Sequence, residues 1–128
     1  MRKLRSMKRL KTLAWQAFGK WVRKGGADEQ GMTHCFTCDA KIHWKDGNAS
    51  HWIHGHSKAS FMDEVNVQCC CIRCNMYLSG NLAEFTIRLV KAYGMEECDR
   101  IRQLSKQIWK PNRDELEAII TKYKMEGV

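Results

Sequence analysis

Apolar side chains recur at helical spacing from the start of the chain. Leu10, Leu13, Ala14, Ala17, Phe18, Trp21 and Val22 make one stripe, which predicts an amphipathic helix over residues 6–24, ended by Gly25-Gly26. The basic side chains fall mostly off this stripe and crowd its start, so the helix is expected to pack at one end and carry charge at the other. Residues 27–70 lose the period. Lys45-Asp46-Gly47-Asn48 is a turn signal, and short strands near 40–44 and 49–54 are expected to pair across it as a hairpin. Ser60 to Val67 reads as a loop with some extended structure. Helical spacing returns after about residue 72. Leu82, Phe85, Leu89 and Tyr93 define one helix, ended by Gly94. Cys98, Ile101, Leu104 and Ile108 define a second, stopped by Pro111; Leu116, Ile119, Ile120 and Tyr123 define a third, opened by an Asn112/Glu115 capping box.

These elements predict an α+β, mostly helical chain. Its 128 residues suit a single domain, 1–128, with a basic N-terminal helix (1–26), a middle part (27–80) and a helical C-terminal part (81–128). No apolar run approaches the roughly 20 residues that span a bilayer. The basic N-terminus lacks an apolar segment and a cleavage site, so neither a secretory signal nor a membrane partner is expected.

Charge sharpens the picture. The net charge is +8, yet residues 1–24 hold nine of the 22 basic residues and no acid: Arg2, Lys3, Arg5, Lys8, Arg9, Lys11, Lys20, Arg23 and Lys24. The rest of the chain is close to balanced, with 13 basic and 14 acidic residues. An arm of this kind suits phosphate tracking, and these nine residues are the expected DNA-binding set.

Seven cysteines include Cys35-x2-Cys38 and Cys71-x2-Cys74, separated by 32 residues. Zn²⁺ takes four thiolate or imidazole ligands in a tetrahedron, and two CxxC turns supply them, so Cys35, Cys38, Cys71 and Cys74 are the expected structural zinc ligands. Cys70-x3-Cys74 is also geometrically possible; the repeated spacing favours Cys71. Cys98 lies on an apolar helix face and reads as core.

Between the knuckles runs His51-Trp52-Ile53-His54-Gly55-His56, followed by Asn66 and, directly after Cys74, Asn75. Hydrolysis needs a base for water and a cation for the leaving oxygen, and neutral imidazole suits the first role. His56 is the candidate catalytic residue. His51, His34 and His43 read as surface or structural residues. Asn66 and Asn75 also have ordinary readings as turn and cap residues.

The order Cys-x2-Cys, Gly-His, Asn, Cys-x2-Cys-Asn resembles HNH or ββα-metal endonucleases on a zinc-knuckle scaffold. More closely, the chain resembles the bacteriophage lambda NinG (Rap) family. Four stretches carry this: Ala17-Phe18-Gly19-Lys20-Trp21-Val22-Arg23, the Cys35 knuckle, His54-Gly55-His56, and Asn66 through Cys71-Ile72-Arg73-Cys74-Asn75 to Leu78-Ser79-Gly80-Asn81-Leu82-Ala83-Glu84-Phe85. The resemblance implies a small ββα-metal core within residues 27–80 and a phage-encoded recombination endonuclease working in the cytoplasm of a bacterial host. It implies branched DNA substrates (Holliday junctions, D-loops) and a catalytic Mg²⁺ or Mn²⁺. It also implies roles: His56 as general base, Asn75 as metal ligand, and Asn66 as the residue orienting the histidine or the hairpin. The usual Asp before the base is missing, because Ile53, His54 and Gly55 precede His56. His54, or less readily His51, then takes its place as ligand, with Asp63 and Glu64 near enough in sequence to add charge. Where the family has a Gln before the second knuckle this chain has Cys70, with Gln68 two residues earlier.

A competing reading is a zinc-stabilised DNA-binding accessory protein without catalysis; a protein-interaction zinc module leaves the basic arm without a role. A symmetric junction would favour a homodimer.

Overall fold

The structure, a computed structural model, describes residues 4–126. Helix α1 spans Met7–Lys24, and the Oγ of Ser6 caps it by accepting from Arg9 N at 3.1 Å. Its stripe is buried along most of its length, at Leu10, Ala14, Ala17, Phe18 and Gly19. The expectation of packing at one end is therefore corrected. The cause is the last helix, which lies along α1: Leu10 and Ala14 cluster with Leu116, and Ala17 and Phe18 with Tyr123.

Strands β1 (Met32–His34) and β2 (Lys41–His43) pair antiparallel, with Thr33 opposite Ile42. Strands β3 (Asn48–His51) and β4 (Val67–Cys70) form a second antiparallel pair, with Asn48 opposite Cys70 and His51 opposite Val67. The expected hairpin across Lys45–Asn48 does not form. The turn is real: Trp44–Asp46 make one tight helical turn, and His43 Nδ1 accepts from Lys45 N at 3.1 Å. It passes the chain from one sheet to the other instead of joining two partners. β2 folds back on β1 around the first CxxC, whereas β3 finds the strand that leads into the second. Phe36 N donates to Cys69 O at 2.9 Å and ties the two pairs together.

After the second knuckle, Arg73–Tyr77 form a single wide turn closed by Leu78 N to Arg73 O at 2.8 Å. Helix α2 (Leu82–Tyr93) ends at Gly94 as expected. Helix α3 (Met95–Leu104) stops sooner than its apolar spacing suggested. Ile108 is 73% exposed, and the segment around it pairs with the histidine loop: Ala59 N donates to Gln107 O at 2.9 Å and Trp109 N to Ser57 O at 2.7 Å. Helix α4 (Arg113–Glu126) is capped by Asn112, whose Oδ1 accepts from Glu115 N at 2.8 Å. Cys98 is core, clustered with Phe85 and Leu89 beside the knuckles. Among the described residues no helix is long and apolar enough to cross a membrane.

Candidate functional site

The ligand atoms of Cys35, Cys38, Cys71 and Cys74 all lie within 4.8 Å of one another. A tetrahedral ion with Zn–S bonds near 2.3 Å has S···S edges of about 3.8 Å. Cys38 Sγ and Cys71 Sγ are 3.7 Å apart, which matches that edge and is far longer than a disulfide. Cys71, rather than Cys70, completes the set, which resolves the register left open by the three adjacent cysteines. The surroundings suit thiolates. Cys74 N–H points at Cys71 Sγ (3.5 Å) and Asn81 Nδ2 at Cys74 Sγ (3.6 Å). Left to the protein alone, burial pushes the Cys38 thiol up to about 12 and also raises Cys71. Cys35 is instead drawn down to about 3, chiefly by a hydrogen bond from Cys70. Adjacent buried thiols resist joint ionisation unless a cation shares their charge. The four cysteines thus fit a zinc ion, whose part would be structural: it would clamp β1, β2 and the Arg73–Tyr77 turn together.

The motif after the knuckle has a physical reason. Ser79, Gly80 and Asn81 all have positive φ, at 50°, 93° and 49°. Gly80 and the Asn that follows it tolerate this region far better than bulkier residues. The reversal brings Gly80 N to Cys74 O at 2.8 Å and lets the Asn81 amide reach the Cys74 sulfur.

The end of β3 and the loop that follows it bring three imidazoles together beside Phe61. The His51 ring lies 4.9 Å from Phe61 and 5.1 Å from Trp15, nearly parallel to both; His56 is 4.8 Å from Phe61, and His54 is 5.8 Å from His51. His51 is half-buried rather than at the surface, since α1 brings Trp15 against it. His54 and His56 are exposed. His51 Nε2 is 2.8 Å from the Phe61 carbonyl. A carbonyl only accepts, so Nε2 carries the proton and Nδ1 keeps its lone pair. Burial lowers the His51 pKa below 6.5, with the neighbouring His54 and His56 adding to the effect against the Phe61 hydrogen bond. Gly55 has φ +142°, which admits the bend between His54 and His56.

Asn66 is fully buried and fastens the loop: its Oδ1 accepts from Ile53 N (2.9 Å), and its Nδ2 donates to Ile53 O (3.0 Å) and Ser60 O (2.9 Å). Asn75 follows Cys74 on the wide turn, and its Oδ1 accepts from the buried Ser50 Oγ at 2.7 Å, next to His51 in the chain, with a second lone pair left on that oxygen. Asp63 and Glu64, expected to add charge, are paired elsewhere. Asp63 takes both Arg100 nitrogens (2.7 and 3.0 Å), and Glu64 accepts from Tyr123 Oη (2.9 Å) and pairs with Lys122. Among the described residues the four cysteines are the single group of three or more such side chains whose ligand atoms converge.

A family model described as bacteriophage lambda NinG protein matches residues 1–127. The chain belongs to the bacteriophage lambda NinG family. No curated protein and no solved structure matches it. Membership implies a role related to phage recombination. In this NinG-family chain the basic arm is distributed along α1. Arg5, Lys8, Arg9 and Lys11 are exposed near its start, and Lys11 Nζ sits 5.8 Å from the Trp109 ring, which adjoins Phe61. Lys20, Arg23 and Lys24 gather at the other end. Arg2 and Lys3 lie outside the described residues. Sequence reasoning missed Trp15 and Phe61, the aromatic walls of the histidine cluster. The spacing gives one signal for the first, since Trp15 stands beside rather than within the stripe that packs α1.

Proposed function

We propose that this NinG-family protein is a metal-dependent endonuclease that cuts branched DNA, with His51 as the general base. The observation that carries this is the orientation of His51. Its Nε2–H is held by the Phe61 carbonyl, its burial favours the neutral ring, and its Nδ1 is left as a base. His56, the base expected from the motif, is exposed and meets Phe61 only through its ring, so its role is the less constrained one. In this reading His51 takes the proton from a water that attacks the phosphodiester, and Asn66 fixes the loop so that the ring stays aimed. His54 and Asn75 are the residues that would hold Mg²⁺ or Mn²⁺. When bound, such an ion would neutralise charge developing on the leaving oxygen. The exposed lysines and arginines of α1 would hold the phosphates on either side.

The accessory-protein reading is favoured by a different observation: no carboxylate among the described residues converges on the imidazoles. Cleavage of a labelled four-way junction and a matched linear duplex, with Mg²⁺ or Mn²⁺ and with EDTA, separates the two. Metal-dependent cutting of the junction supports the nuclease. Tight junction binding with no cutting under any metal supports the accessory protein.

A further inference from the structure

One aromatic ring outside the histidine cluster stands among cations. Trp44, on the turn between β2 and β3, has Lys20 Nζ at 5.9 Å, Arg23 Cζ at 5.4 Å, and Lys24 and Lys45 Nζ each at 5.8 Å from its ring centroid. A weak cation–π attraction at a partly exposed ring does not by itself explain four cations drawn to one place. Lys20, Arg23 and Lys45 make no ion pair among the described residues, so no carboxylate neutralises these three. Their lysine and arginine stems are long enough to swing outward. The same helix end continues the charge. Lys20, Trp21 and Lys24 also line a groove of about 540 Å³ against α4, which Lys124 borders.

We infer that Trp44 is a stacking platform for an unpaired base of DNA, with Lys20, Arg23, Lys24 and Lys45 holding the phosphates on either side of that base. Single-stranded nucleic acid is recognised by this combination, an aromatic face for the base and a cationic surround for the backbone. A fully paired duplex offers the phosphates but no free base face, so Trp44 would discriminate between them. Placement agrees. From Trp15, which touches His51, to Arg23 is eight residues of α1, or about 12 Å at 1.5 Å per residue. That is about three to four phosphate steps at 3.4 Å per strand, so one branched substrate can reach both places. The inference rests on the DNA-binding part of the proposed function but not on catalysis.

Fluorescence anisotropy tests it, using a labelled duplex with a short single-stranded gap and a fully paired duplex of the same length. Wild type, Trp44→Ala, Trp44→Phe and Lys45→Gln are compared at several salt concentrations. Trp44→Ala should weaken gapped-DNA binding roughly tenfold, within the range of one base–aromatic stack, and leave the paired duplex within about twofold. Trp44→Phe, which keeps a ring, should recover most of the loss and guards against a folding defect. Lys45→Gln should weaken both DNAs and lower the log–log salt slope by about 0.9. Equal weakening of both DNAs by Trp44→Ala would overturn the platform and leave a surface that reads charge alone. A wild type that binds gapped DNA selectively but cuts nothing would refute the nuclease while leaving this inference standing.

Discussion

Replacing Asn66 by alanine should destabilise the fold by about 3–4 kcal/mol, because one buried amide closes the whole histidine loop. Its three hydrogen bonds are not equivalent. The Ser60 carbonyl keeps a second donor, Asp63 N at 3.2 Å, so losing the amide leaves it partly satisfied. Ile53 N–H has Asn66 Oδ1 as its partner, and stranding this half-buried donor costs about 1–3 kcal/mol at most. The two donated bonds contribute about 0.5–1.5 kcal/mol each, and the cavity left by the amide adds a smaller amount. For a domain of this size, 1 kcal/mol moves Tm by roughly 3–5 °C, so the expected drop is roughly 10–15 °C. Thermal and urea unfolding measure it, with an unchanged m-value showing that the unfolded state is the same. Asn66→Asp is the sharper variant. It keeps the acceptor for Ile53 N–H but aims a carboxylate at the Ile53 and Ser60 carbonyls. Its deficit should therefore exceed that of alanine at neutral pH and narrow on acidification, when a protonated acid can donate to one of them. A Tm loss under about 4 °C for Asn66→Ala would refute the claim that this amide holds the loop.

Zinc should be measurable as one equivalent per chain, lost in Cys74→Ser and kept in Cys70→Ser, since Cys71 and not Cys70 joins the cluster. Strong chelation should lower Tm sharply, because structural zinc contributes folding free energy directly; an unmoved transition would refute the site. Burial lowers the His51 pKa, so the folded chain holds that proton less tightly than the unfolded chain. The stability it contributes is present above the unfolded value of 6.5 and is lost as pH falls through the folded value, so Tm should decline between pH 7 and 5 and His51→Gln should flatten that decline. Changing Lys8, Arg9 and Lys11 together to Gln should reduce the salt slope of DNA binding by about 0.9 for each phosphate that is no longer neutralised.

Local features of this chain were legible where the physics is local. The α1 stripe, the Gly94 stop, the Asn112 cap and the CxxC pairs each announce themselves within a few residues. Strand pairing was not legible. The Lys45–Asn48 turn is real, but β2 and β3 take partners on either side of it: β2 folds back on β1 around the first CxxC, and β3 pairs with the strand that leads into the second. Ile108 fits a helical period and yet lies beside Lys58, because backbone pairing with a loop leaves no mark on apolar spacing. His51 read as a surface residue because its shelter comes from Trp15 on another element. Asn66, expected to orient the histidine or the hairpin, bonds instead to the backbone of Ile53 and Ser60 in the loop, partners that spacing alone does not name. Asn75 was expected at a cation, and the Ser50 hydroxyl claims one lone pair of its oxygen.

The central claim, that His51 is the base of a DNA-cutting site, is tested most directly by single-turnover cleavage of a four-way junction with Mg²⁺ or Mn²⁺. Wild type, His51→Ala and His56→Ala are compared, with junction binding measured alongside. The account predicts that wild type cuts and that His51→Ala loses the reaction by at least about 100-fold while still binding. It predicts a smaller loss for His56→Ala. Full loss in His56→Ala with His51→Ala still active would contradict the assignment, and no cutting by wild type would contradict the activity itself.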